Sequence, residues 1–229
     1  MTVAPGAGPM RWSLQRDEFA PYVAHQLSHF HVPGRPAIAG RDLEPFMATT
    51  LDRVQRCFSQ IRRKYFFDGQ QTLFDHRHGD QWAMFLYYLS NTVHREAGPE
   101  EVAAMLFQLN KSLHGADLFY GISLPEVFLL IHPVGTVLGN ARYGNYFVSY
   151  QNCAVGAVES GVYPTFHGEN VLFARSAVLG ASTIGRNVIV GANAFLINSD
   201  IPGDHAVVGA YPNHRVVPMR GTVIDRLFR

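Results

Sequence analysis

Cysteine is scarce: the 229 residues hold two, Cys57 and Cys153. Two thiols so far apart make no disulfide framework, and they read as free thiols in a reducing cytoplasm. Neither sign of charge is in excess. Nineteen basic against eighteen acidic residues leave a formal charge of +1. That argues against holding nucleic acid or an anionic membrane by bulk electrostatics, although a local basic patch stays open. Long apolar runs are missing too: a run such as residues 127–131 is far short of a membrane span. The opening residues MTVAPGAGPMRW show no basic stretch ahead of an apolar core, so no secretory signal is expected. What the chain does have is core material. It is 47% hydrophobic and 12% aromatic, which excludes a disordered chain.

The character of the sequence changes near residue 120. Before it, the spacing is helical. Asp42-Leu43-Glu44-Pro45 reads as a helix start, and within 46–67 the residues Phe46, Met47, Leu51, Val54, Phe58 and Ile61 share one face. Arg53, Arg56, Arg62, Arg63 and Lys64 fall mostly on the other. Helices are also expected over 80–94 and 100–113. The second is entered through Gly98-Pro99 with acids in its first turn and stopped by Gly115. Asp75-His76-Arg77-His78 has too few companions for a zinc site and reads as a solvated loop.

Beyond residue 120 a period of six takes over. Sixes open at Leu172, Val178, Ile184, Val190 and Leu196, and a glycine follows the aliphatic one in two of them. A six-residue period is the mark of a parallel β-helix, in which three sixes close one triangular coil and coils stack at about 4.8 Å. The aliphatic residue points inward, and Cys153 falls at such an inward position. The repeat breaks between Ala157 and Asn170, where GAVESGVYPTFHGEN is too rich in turn formers for a simple corner and reads as a loop serving a site or interface.

These residues carry a resemblance. Ile131-His132-Pro133, Cys153-Ala154-Val155-Gly156, Tyr163-Pro164, the sixes, Asp200-Ile201-Pro202 and the run from Gly209 to Val217 resemble the hexapeptide acyltransferase superfamily, within it the serine acetyltransferase branch. The match covers roughly residues 125–217. It implies an α + β fold: an N-terminal α-helical domain (1–120), a left-handed parallel β-helix of hexapeptide repeats (121–217) and a C-terminal tail (218–229). It further implies a cytoplasmic homotrimer, open to pairing as a dimer of trimers. Each trimer would transfer an acyl group, usually acetyl, from acetyl-CoA as co-substrate to a hydroxyl or amine of a small acceptor. No metal, nucleic acid or membrane enters that chemistry. By the same resemblance, coenzyme A would lie along the late coils, at Gly191, Ala192 and Asn193, with Arg215 near its phosphates.

The chain departs from the branch where the base should be. The start reads Leu130-Ile131-His132-Pro133, without the branch's aspartate. The Asp-His position falls at Val148-Ser149-Tyr150, and the loop histidine is replaced by Tyr163. L-serine as acceptor is therefore in doubt. The reaction needs a general base and oxyanion donors, and His132 and His167 are the candidates for the base. Tyr150 is eighteen residues after His132, which places it one coil above if no bulge intervenes. Tyr150, Gln151, Asn152 and Tyr163 are the candidate acceptor contacts. The alternative is a non-catalytic trimeric scaffold that kept the fold and lost the base. The C-terminal Asp225-Arg226-Leu227-Phe228-Arg229 lacks the isoleucine with which serine acetyltransferases hold the next enzyme of cysteine synthesis, so that partnership is not expected.

Overall fold

The computed structural model describes residues 10–158 and 161–229. The readings of residues 1–9 and of Glu159-Ser160 in the loop lie outside the described residues. A short strand, β1 (Met10–Trp12), precedes the helices α1 (Phe19–Leu27) and α2 (Gly40–Phe58). Next come β2 (Thr72–Phe74), which pairs in parallel with β1, then α3 (Gly79–Arg95) and α4 (Glu100–His114). The helix over 100–113 ends as expected, with Gly115 left-handed at φ 62°. Asp42 works as a first-turn acid, since its Oδ2 accepts the Ala39 N–H at 2.8 Å.

The helix expected over 46–67 stops at Phe58. Ile61 is still buried but no longer helical. It bridges to Phe228, and the Arg62 N–H donates to the Leu227 carbonyl at 2.9 Å. A contact with the far end of the chain wins over local spacing. The C-terminal helix α5 (Val223–Leu227) seats Val223, and Phe228 follows it into the core; the Arg229 N–H bonds to the Gln60 carbonyl at 2.9 Å.

Between α4 and α5 the chain winds a left-handed parallel β-helix. The first coil holds β3 (Phe128–Leu130), β4 (Val137–Leu138) and β5 (Arg142–Tyr143), and the second β6 (Phe147–Ser149), β7 (Ala154–Gly156) and β8 (Thr165–Phe166). The third holds β9 (Asn170–Leu172), β10 (Ala177–Leu179) and β11 (Thr183–Ile184); the fourth β12 (Val188–Val190), β13 (Phe195–Ile197) and β14 (Asp200–Ile201). β15 (His205–Val208) opens a fifth turn, and β16 (Arg215–Pro218) folds back antiparallel on it. The strands stack into three sheets, ordered β16-β15-β12-β9-β6-β3, β13-β10-β7-β4 and β14-β11-β8-β5. The five residues that open the sixes, Leu172, Val178, Ile184, Val190 and Leu196, are each 0% exposed, and so is Cys153. They form the interior column that the period requires.

The outer faces differ. On the first sheet even the outward residues Leu129, Val148 and Val171 are buried, because the helices and the C-terminal segment cover it. The Cys57 thiol donates to the Phe128 carbonyl at 3.1 Å there, and Phe228 packs edge-on to Tyr146. The second sheet shows solvent a register-matched column of Val137, Ala154, Ala177 and Phe195. The third shows Arg142, Thr165, Thr183 and Asp200.

Two expectations about the coils need correction. The break over 157–170 is narrower than the composition suggests. β8 keeps its place in the third sheet, and the extra length falls between β7 and β8, where Val155 and Phe166 are eleven positions apart against six for Val178 and Ile184. The first coil also departs from eighteen residues, since Leu130 pairs with Ser149 nineteen positions on and Val137 with Ala154 seventeen on, which puts two additional residues in the corner between them.

Candidate active site

The chain passes from the first sheet to the second at one edge of the β-helix. In each coil that turn contains a left-handed residue: Gly135 (φ 73°) in the first, with His132 (49°) just ahead of it, then Asn152 (57°), Arg175 (62°) and Asn193 (59°). Asparagine and histidine enter this region more readily than most side chains; arginine has no such local advantage. Backbone bonds lock the corners together. Asn152 donates to the Val134 carbonyl at 2.9 Å, Arg175 to Gln151 at 3.0 Å and Asn193 to Ala174 at 3.0 Å. At about 4.8 Å per coil, His132 and Asn193 stand about 14 Å apart along the edge.

Most of the residues expected from the sequence gather here. His132 is exposed at the first corner. The Leu130–Ser149 pair is nineteen positions apart and the Val137–Ala154 pair seventeen, so two additional residues lie in the first corner, and Tyr150 falls level with Ile131 rather than His132. Tyr150 instead stacks on Phe173, with ring centroids 4.9 Å apart. Gln151, in the second-coil corner, holds its Oε1 buried with no hydrogen-bond partner among the described residues, an acceptor left open. Asn152 lies over Gly135, whose missing side chain makes the room. At the far end, the Gly191 N–H donates to the Val207 carbonyl at 2.8 Å, and a Cβ on Gly191 would press on Val208 at 3.0 Å. Val208 pairs with Arg215 across the β15–β16 hairpin. Gly191, Ala192, Asn193 and Arg215 thus form one open corner, its side chains small apart from a single exposed guanidinium.

Tyr163 and His167 are not part of this edge. Tyr163 leads into β8 and touches the space above Gly139. His167 is not in a protruding loop. It sits at the tight corner between β8 and β9, its N–H bonded to the Ile184 carbonyl at 2.9 Å and its side chain exposed. These two residues belong to the other two corners of the triangle.

No local sequence signal marks the carboxylate beside His132. Asp80, in the first turn of α3, places Oδ1 3.9 Å from His132 Nδ1; its own side chain is 14% exposed and the histidine's 74%. The helix N-terminus favours the negative charge there. His114, at the end of α4, borders the same spot. Its Nδ1 shares a 2.8 Å hydrogen bond with Asn110 Oδ1. Burial holds its basicity below the ordinary histidine value, against the opposing pull of Asp80. The exit of α4 is fixed to the first coil by the Gly135 N–H bond to the Gly115 carbonyl at 2.8 Å, so the helices and the coil hold this cluster rigidly. Asp80 and His132 are fifty-two positions apart on unlike elements, and no local pattern links them. Arg175 was missed because nothing in its hexapeptide marks the corner residue. Elsewhere, Asp75 is taken up by a two-pronged pair with Arg77, at 2.8 and 2.9 Å, and His76 by Ser13. Among the described residues no three His, Cys, Asp or Glu side chains gather as a metal-binding group, and no helix is long and apolar enough to cross a membrane.

A four-coil, left-handed hexapeptide β-helix behind a helical half places the chain in the fold class of the hexapeptide-repeat transferases. Solved structures share that fold. A serine acetyltransferase from Vibrio cholerae superposes with a TM-score of 0.70 at 16% identity, covering 90% of this chain and 82% of that one. A serine acetyltransferase from Brucella abortus, solved with coenzyme A, gives 0.68 at 16% identity over 92% and 84%. In sequence the chain is similar to the serine acetyltransferases of Synechococcus elongatus, 33% identical over 130 residues, and of Staphylococcus xylosus, 33% over 131. Those alignments take in 55% and 56% of this chain and 52% and 59% of the relatives, so the chain spans little more than half the length of the curated relatives it matches. No protein-family model matches it.

Proposed function

We propose that this chain is an acyltransferase of the serine acetyltransferase type, carrying acetyl from acetyl-CoA to a hydroxyl or amine of a small polar acceptor. The observation that carries the reading is the single edge that holds His132, the Gln151–Asn152 corner and the Gly191–Arg215 corner, with Asp80 brought to His132 from α3. The fit to acetyl-CoA rests on that edge. The open corner at Gly191, Ala192 and Asn193 leaves room for an extended ligand, and Arg215 offers charge-assisted bonds to phosphate. The unpartnered Gln151 Oε1 suits a donor of the acceptor or of the ligand's amides. His132 takes the acceptor's proton as its oxygen or nitrogen attacks the thioester carbon, and returns it to the departing thiolate. Asp80 is a positioning residue that favours the charged imidazole.

The working form is a homotrimer. The outward column of Val137, Ala154, Ala177 and Phe195, exposed at its ends and half-buried at its small middle residues, supports close packing of a second copy. Tyr163 and His167 would reach the edge of a neighbouring copy rather than their own. The acceptor is drawn from amino alcohols and amino sugars, and cytoplasmic acetyl-CoA supplies the donor.

The test is calorimetric titration of the trimer with acetyl-CoA, followed by thiol release over a panel of acceptors including L-serine. A general acid–base contribution of about 10²–10⁴-fold is expected to vanish in H132A while acetyl-CoA still binds. A folded trimer that neither binds acetyl-CoA nor acetylates any acceptor would move the reading to the non-catalytic scaffold.

A further inference from the structure

The arginines on the outer face of α2 have a use that the β-helix edge does not explain. A cavity of about 290 Å³ opens between α2, α3 and the strand-like segment leading to β3, and Arg53, Arg56 and Arg95 all line it. Arg53 is half-buried. Nη1 donates to Thr92 Oγ1 at 2.7 Å and to the Tyr88 carbonyl at 3.3 Å, Nη2 to Asn91 Oδ1 at 2.8 Å, and the guanidinium lies 4.8 Å from the centre of the Tyr88 ring. All three acceptors are neutral. Nε–H and one Nη2–H are left over from the five that arginine carries. Glu96 and Glu126 also line the cavity, yet among the described residues no carboxylate comes within 4.0 Å of Arg53, Arg56 or Arg95. Burial lowers the basicity of Arg53, and Arg95 and Arg56 push it the same way. A cation withdrawn from water without a counterion is costly, and here two more cations are brought beside it.

We infer that this cavity is a binding site for a small molecule presenting one carboxylate or phosphate group, held by Arg53 with Arg56 and Arg95. Guanidinium groups recognise both oxyanions through paired N–H bonds, and the free Nε–H and Nη2–H of Arg53 supply such donors. The two glutamates at the wall disfavour a highly charged polyanion and suit a ligand whose remaining groups are donors. The site is separate from the Arg215 corner proposed for coenzyme A, and it does not depend on the acyltransferase reading.

The experiment is a thermal-shift and calorimetric titration of the full chain with inorganic phosphate and with a monocarboxylate, against sodium chloride of matched ionic strength. Saturable stabilisation is expected in the wild type and in R215Q, with affinity reduced at least 10-fold in the R56Q/R95Q double variant. Arg53→Met is the sharper probe of the site, but Arg53 also ties α2 to α3; the exposed pair keeps the test independent of folding. The inference is overturned if neither anion stabilises beyond chloride, if R56Q/R95Q binds like the wild type, or if R215Q alone removes the response.

Discussion

Replacing Gly185 by alanine tests the close approach of successive coils. A Cβ there would lie 2.8 Å from Gly203 Cα and from the Pro202 carbonyl carbon, and nearer still to the Gly203 nitrogen. These neighbours are main chain of the next coil and cannot rotate away. Gly185 is not in the left-handed region, so the cost is steric rather than conformational. Over-packing costs about 1–3 kcal/mol, and rigid partners put this case near about 3 kcal/mol. For a chain of this size that corresponds to a fall of about 6–12 °C in Tm. Gly156→Ala is the control. Its Cβ would meet only Leu179 Cδ2, at 3.6 Å, an ordinary contact, and a change within about 0.5 kcal/mol is expected. Calorimetric melting of both variants against the wild type decides it, with hydrogen exchange locating the loosening in β14 and β15. Equal melting temperatures for the two variants would refute the inter-coil geometry.

Asp80→Asn is expected to lower kcat by at least 10-fold while leaving the KM for acetyl-CoA in place, with recovery in Asp80→Glu; a change confined to KM would remove Asp80 from His132. Both thiols are buried, and burial pushes Cys57 up to about 11, so a disulfide reagent should find none in the native chain and both after denaturation; rapid native labelling would contradict the packing. His114 has a folded value depressed below its unfolded value near 6.5, so the unfolded chain binds more protons in that window. Its contribution is fully present above pH 6.5 and is lost as pH falls through the folded value. Denaturant titrations from pH 8 to 5 should show a flatter dependence in His114→Asn, and identical curves would discard this assignment.

The β-helix was legible because its repeat is a physical one. Leu172, Val178, Ile184, Val190 and Leu196 share one interior environment, and one residue type answers it every six positions. Helices over 80–94 and 100–113 were legible for the same reason, since an apolar stripe and a stop at Gly115 are local. The end of α2 was not, because it is set by Leu227 and Phe228. The register of the first coil turned on two additional residues in its first corner, to which composition is blind. At the site, His132 and the late corner could be named from their motifs, but Asp80 and Arg175 could not. One reaches the edge from a helix, and the other shares a backbone angle with Asn152 and Asn193 without sharing their chemistry.

The left-handed corners also make this edge a ruler. A residue there sits at a whole number of rungs from Gly135, just past His132, and no side-chain rearrangement yields a fractional step. A ligand gripped at both ends is therefore measured by counting coils. Removing or adding one coil would change the span by about 4.8 Å while preserving the direction in which each corner faces. The insertion between β7 and β8 shows the complementary freedom: the connection is five residues longer and the third sheet keeps its register. Reach along the axis is thus altered only in discrete jumps, whereas what surrounds the reacting atoms can be redrawn residue by residue.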